Sequence, residues 1–130
     1  NIDGTLRLID PGLSDWGFRT QASVESQEKQ ITVKSISPQT ILDDAKYAQM
    51  TPLIFKIDIE GAESQLFQGD TSWMSKFAMI VIELHDWMLP FSGSSTHFFK
   101  AMVQHDFDFV HKGENAFLFN RRILSPDVLA

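Results

Sequence analysis

Leu53-Ile54-Phe55-Lys56-Ile57-Asp58-Ile59-Glu60-Gly61-Ala62-Glu63 is the stretch on which the fold turns. Up to Asp58 it is an almost unbroken apolar run, the pattern of a central parallel strand with both faces covered. Gly61 punctuates the strand end, and Ala62, Leu66 and Phe67 then recur at helical spacing until Gly69. The stretch therefore predicts a strand, a tight turn and a short helix. Phe77 to Leu84 is a second buried-strand run, followed by an irregular stretch through Pro90 to Ser95. From Thr96, the residues Phe98, Phe99, Met102 and Val103 mark one helix face. Phe107 to His111 and Ala116 to Asn120 flank Lys112-Gly113-Glu114-Asn115, an antiparallel hairpin.

Upstream, Ser37-Pro38 supplies an N-cap and a first-turn proline for a helix reaching about Ala48. Ile31, Val33 and Ile36 alternate with polar residues as a half-buried strand. Gln21 to Gln30 is polar without period, an exposed connection, so 21–37 reads as a loop or hairpin insertion. Thr5 to Ile9 is a short strand closed by Asp10-Pro11-Gly12. Strands alternating with helices give an α/β fold: a mostly parallel sheet with helices on both faces and a C-terminal antiparallel hairpin.

Composition narrows the function. With 11 basic and 17 acidic residues the formal charge is −6, and 43% of the 130 residues are hydrophobic, as in one globular domain, 1–130. The acidic balance offers no basic face for a phosphate backbone, which argues against nucleic acid. No cysteine is present, which excludes disulfides, thiolate catalysis and Cys-ligated metal. Apolar runs stay far below the roughly 20 residues of a membrane span. The expected compartment is the cytoplasm.

In open α/β sheets the site lies beyond the carboxyl ends of the strands, which here carry Asp58 with Glu60 and Glu83 with His85. Strand alternation points Lys56, Asp58 and Glu60 one way and pairs Glu83 with His85. Lys56, inside an apolar run, needs a counterion, and Asp58 or Glu83 is nearest. Asp58, Glu60, Glu83 and His85 form an oxygen-rich set able to take Mg²⁺ or Mn²⁺, although metal is not the favoured reading. Trp87, just beyond His85, is a candidate for the wall of a substrate pocket. Trp73 reads as satellite packing, and Phe98, Phe99, Phe107, Phe109, Phe117 and Phe119 as core.

Phe55 to Glu63, then Leu66-Phe67-Gln68-Gly69 and Ile80-Val81-Ile82-Glu83-Leu84-His85, resembles the K-I-D-[VI]-E-G-A-E…L-x-G…I-x-x-E-L-H signature of FkbM-type S-adenosylmethionine-dependent methyltransferases. Gly12-Leu13-Ser14-Asp15 is similar to the A-L-S-D segment that ends the third strand in that family, and Thr40-Ile41-Leu42-Asp43-Asp44 to its T-L-D-[DE] helix start. The resemblance spans about Leu6 to Arg121. It implies a Rossmann-like class I methyltransferase sheet, of which this chain looks like the portion from the third strand onward, without the N-terminal strands and Gly-rich cofactor turn, and so inactive alone. It further implies methyl transfer to a hydroxyl on a sugar or a small or lipid-linked metabolite. Asp58 then becomes base or substrate orienter, His85 the alternative base, and Glu60 and Trp87 acceptor contacts. Leu13, Ser14 and Asp15 border the adenine pocket. Glu63 reads as structural, its carboxylate suiting the helix dipole.

Two other classes compete with the enzyme reading. One is a non-catalytic α/β interaction domain derived from a methyltransferase, and the other a divalent-metal hydrolase using the carboxylate cluster. Asn1-Ile2-Asp3-Gly4-Thr5-Leu6 is similar to a haloacid-dehalogenase nucleophile motif, but Asn1 cannot supply the aspartyl nucleophile that chemistry requires.

Overall fold

A computed structural model of the protein describes residues 3–10, 19–20, 29–88 and 90–125. The element order is β1 (Gly4–Asp10), β2 (Arg19–Thr20), β3 (Lys29–Ser35), α1 (Pro38–Leu42), β4 (Ile54–Ile57), α2 (Glu63–Leu66), β5 (Met79–Glu83), α3 (Thr96–Gln104), β6 (Phe107–Lys112) and β7 (Asn115–Asn120). Two sheets result, one of order β2-β1-β3 and one of order β4-β5-β7-β6. A mixed sheet with helices places the chain in the α/β class.

The parallel content is smaller than the sequence pattern predicts. Among the described residues, only β4 and β5 pair in parallel in the larger sheet, Phe55 opposite Ile80 and Ile57 opposite Ile82. The C-terminal hairpin folds as expected, but it enters by β7, which lies antiparallel between β5 and β6. Gly113, at φ +63°, takes the first position of the two-residue turn, where a left-handed backbone suits glycine. The strand at Thr5 to Ile9 exists, yet it does not extend this sheet. It pairs antiparallel with β3 over seven residues, Gly4 opposite Ser35 through Asp10 opposite Lys29. Of the expected 21–37 insertion, Lys29–Ser35 forms β3, and residues 21–28 lie outside the described residues.

β4 also departs from its expected burial. Among the described residues it has β5 as its single strand neighbour, so Leu53 and Ile54 are exposed and the Lys56 side chain is about half exposed at 45%. The apolar run signals a strand, but covering both faces requires neighbours that periodicity cannot count. The helix from Pro38 breaks earlier than expected. Ser37 Oγ accepts from the Thr40 N–H as N-cap, α1 stops at Leu42, and Asp44 caps a separate 3₁₀ turn over Ala45–Tyr47. Asp3 joins this region to β1 by accepting from the Ser37 N–H at 2.7 Å and the Thr40 hydroxyl at 2.9 Å.

The core lies on one face of the larger sheet, where Ile57, Ile80, Ile82, Ala116 and Leu118 meet Phe67, Trp73, Met74, Phe98 and Ala101. A 3₁₀ turn over Ser72–Lys76 delivers Trp73 into this layer. Trp73 is central rather than satellite: its ring meets Phe55 edge-on at 5.4 Å and Phe67 at 5.8 Å. Three other readings are corrected by exposure, since Phe99, Val103 and Phe109 face outward. For Phe109 the cause is topological: β6 is the sheet edge. The helix α3 buries Phe98 and Ala101 instead.

His105 closes α3 and shares a 3.1 Å hydrogen bond with the Thr71 hydroxyl. Burial holds its pKa below the ordinary 6.5, against the opposing pull of Thr71 and the Asp70 charge. A depressed histidine binds fewer protons folded than unfolded, so its contribution is complete above the ordinary value and is lost as pH falls through the lowered one. His105→Gln is therefore expected to flatten the decline of the urea midpoint as pH falls below the ordinary histidine value. An unchanged slope would remove His105 from the acid limb of stability.

Candidate active site

The ends of β4 and β5 lie side by side because the two strands run parallel in register. Beyond Ile57 the chain leaves extended geometry. Glu60 at φ +48° and Gly61 at φ +94° form a left-handed turn, and a non-glycine residue in that region is a costly choice that clusters at functional sites. The turn carries Asp58 and Glu60 toward His85, which follows β5. Thus the four groups named from the strand ends do converge.

His85 is the centre of the arrangement. It is buried, 2% exposed, and its Nδ1 lies 2.6 Å from Oε1 of Glu63, a fully buried carboxylate in the first turn of α2. The same Oε1 accepts the Gly61 N–H at 3.2 Å. An oxygen already accepting from a backbone amide assigns the Nδ1 hydrogen as donor, and Nε2 faces the other carboxylates. Around Nε2 stand Glu60 Oε2 at 3.6 Å, Glu83 Oε1 at 3.6 Å and Asp58 Oδ1 at 3.8 Å, all beyond hydrogen-bond distance. Lys56 Nζ lies 3.7 Å from Asp58 Oδ2, the counterion pairing expected for it.

Glu63 is the site residue that sequence reasoning missed. Its place at a helix start gave it a sufficient explanation, and that explanation was incomplete. The available signal was His85 itself: a histidine buried at a strand end needs a partner for Nδ1, and the carboxylates of the E-G-A-E turn are the nearest in the fold.

Asp58 and Glu60 also border a cleft of about 430 Å³ whose wall includes Leu6, Leu8, Ile36 and Ile41. It opens between the two sheets. Trp87, two residues after His85, is exposed, and the two ring centroids are 6.4 Å apart. The base of the segment that carries Trp87 is pinned by Asp86, which accepts from the Ser94 hydroxyl at 2.9 Å and the Ser95 N–H at 3.2 Å. Burial raises the Asp86 pKa, but these hydrogen bonds outweigh it and hold the carboxyl below its ordinary range. Leu13, Ser14 and Asp15 lie outside the described residues.

Titratable groups gather at the carboxyl ends of adjacent parallel strands, beside an apolar cleft, which is where α/β folds place their ligand sites. Comparison with known proteins makes the class specific. Residues 6–111 match the methyltransferase FkbM domain, and the chain belongs to that family. No curated protein and no solved structure matches the chain.

Proposed function

We propose that the protein is a methyltransferase that uses S-adenosylmethionine to methylate a hydroxyl oxygen on a sugar or a small or lipid-linked metabolite. The observation that carries this reading is the convergence of Asp58, Glu60 and Glu83 on a histidine fixed by Glu63, in a member of the FkbM family. The cofactor, when bound, supplies an electrophilic methyl on a positively charged sulfur. The cleft suits it chemically, with an apolar wall for a purine ring and carboxylates at one end that favour a cation. Leu13, Ser14 and Asp15 are assigned to its adenine side from the sequence, within a Rossmann-like sheet. A cytoplasmic location accords with the acidic, cysteine-free composition.

This chain's residues have separate tasks. Asp58 is about half exposed and meets the acceptor; His85 is buried and stands behind it. We therefore assign the hydroxyl proton to Asp58 and give His85 the role of holding the local charge and geometry. With that proton taken by Asp58, the acceptor oxygen would be left to receive the methyl that bound S-adenosylmethionine would supply, the C–S bonding pair staying with sulfur. Glu60 accepts hydrogen bonds from neighbouring hydroxyls, and Trp87 offers a flat face to the acceptor.

The test is transfer of isotopically labelled methyl from S-adenosylmethionine into a metabolite extract by the full-length polypeptide. A labelled product whose methyl sits on oxygen is expected, and no labelled product would overturn the assignment. Trp87→Ala is expected to raise the KM for that acceptor by about tenfold, with a smaller change in kcat, as loss of one stacking face removes binding common to ground and transition states. An unchanged KM would take Trp87 out of the acceptor site.

A further inference from the structure

We propose that Trp87 and Phe91, on the loop leading from β5 to α3, dock the protein on the surface of a neutral, zwitterionic lipid bilayer. The docking surface stands on the loop itself. Its use, presenting a lipid-linked acceptor to Asp58, rests on the methyltransferase reading above.

Phe91 is fully exposed and Trp87 is 72% exposed. A single exposed apolar residue is ordinary, but Phe91 is held outward at a cost. Its φ is +66°, a left-handed backbone that a bulky side chain rarely adopts. Among the described residues nothing covers its ring to offset that strain. The base of the loop is nevertheless tied. Asp86 accepts from the Ser94 hydroxyl and the Ser95 N–H across it. Gly93, at φ +67°, turns the chain into α3, its carbonyl accepting from the Thr96 N–H at 3.0 Å. A tied base that holds an aromatic ring out in solvent suits a surface that supplies the missing burial.

Charge decides what that surface is. From Trp87 through Phe99 the sequence has no Asp, Glu, Lys or Arg, in a chain of net charge −6. Protein interfaces ring their aromatic anchors with polar and charged groups. A lipid interface asks for the opposite, apolar and aromatic side chains that enter the acyl boundary with no charge to desolvate. Trp, with an apolar ring and one N–H, sits at headgroup level, and Phe reaches deeper. Without Lys or Arg on the loop, an anionic bilayer gains no attraction and repels the acidic chain, so neutral lipid is selected. Trp87 links this surface to the reaction, since its ring centroid lies 6.4 Å from that of His85. A hydroxyl near the headgroup plane therefore meets the strand ends without its lipid leaving the membrane.

Phosphatidylcholine vesicles are the probe. The full-length polypeptide is expected to float with them, and Phe91→Asn to lose affinity by about tenfold, as removal of one inserted aromatic ring requires. Asparagine tolerates a left-handed backbone, so the thermal midpoint of this variant should hold or rise, which separates lost binding from lost folding. Leu53→Ser, an exposed apolar site at the opposite end of β4 from Asp58, is expected to bind as the parent does. Binding should persist in high salt and weaken when phosphatidylglycerol replaces part of the phosphatidylcholine. Absence of flotation, unchanged affinity in Phe91→Asn, an equal loss in Leu53→Ser, or a preference for the anionic vesicles overturns the proposal. So does a Phe91→Asn protein altered only in self-association, or only in KM for a water-soluble acceptor, outcomes that give the loop to a second copy or to the acceptor. The two readings fail separately. Vesicle binding without methyl transfer sinks the enzyme assignment and leaves the surface, whereas methyl transfer to water-soluble acceptors with no vesicle binding sinks the surface and leaves the enzyme.

Discussion

Glu63→Ala is expected to lower the unfolding free energy by about 3–5 kcal/mol, the usual cost of removing one partner from a buried polar pair. Three losses coincide at this position. The His85 Nδ1–H loses a 2.6 Å acceptor, the Gly61 N–H loses a 3.2 Å acceptor, and a fully buried side chain leaves a void beneath α2. For a domain of this size the thermal midpoint should fall by roughly 10 °C or more. Glu63→Gln separates these causes: its amide oxygen can still accept from both donors, so its cost should be near 1 kcal/mol while the negative charge on His85 is gone. If methyl transfer falls about 10- to 100-fold in Glu63→Gln despite a nearly intact fold, the carboxylate acts through His85 as a positioning residue. Urea unfolding and turnover measured on both variants decide this. A loss of less than about 1 kcal/mol in Glu63→Ala would mean that the buried pair contributes little.

The strand ends were the part of the site that the sequence made legible. An apolar run that stops in Asp58, and another that stops in Glu83 and His85, carry their own signal, because sheet topology puts functional groups where strands end. Glu63 carried no such signal, since an acidic residue in a first helical turn already has a local reason to be there. Its pairing with His85 spans 22 positions and depends on the turn at Glu60 and Gly61, whose left-handed backbone is invisible to hydrophobic periodicity. The same limit explains the sheet. Periodicity located β1, β4, β5 and the hairpin, yet pairing partners are a long-range property. The strand at Gly4–Asp10 therefore joined β3 instead of β4, and β4 became an edge among the described residues. Helix α1 was legible at its start through Ser37 and Pro38; its end was set by Asp44, whose side chain competes with the backbone for a hydrogen bond.

Asp58→Asn is expected to reduce turnover by about 10²-fold or more, the range over which a positioned proton acceptor contributes, with little change in S-adenosylmethionine affinity. The substitution preserves shape and one carbonyl oxygen, so packing is not its mechanism. Asp58 sits on the rim, about half exposed, where surface exchanges leave stability within about 0.5 kcal/mol. What it removes is a negative charge facing Lys56 at 3.7 Å and His85 at 3.8 Å, and the basic oxygen nearest the acceptor. An amide cannot take the proton, and Glu83, which faces the same His85 Nε2, is less exposed than Asp58. Single-turnover rates with saturating cofactor isolate the chemical step, and equilibrium binding of the cofactor gives the comparison. A fall in rate with unchanged binding identifies an interaction made only as the proton leaves. A matching fall in binding would place Asp58 against the cofactor instead. Unchanged turnover would remove it from the reaction and pass the proton to His85, whose own replacement by Gln would then have to show the loss.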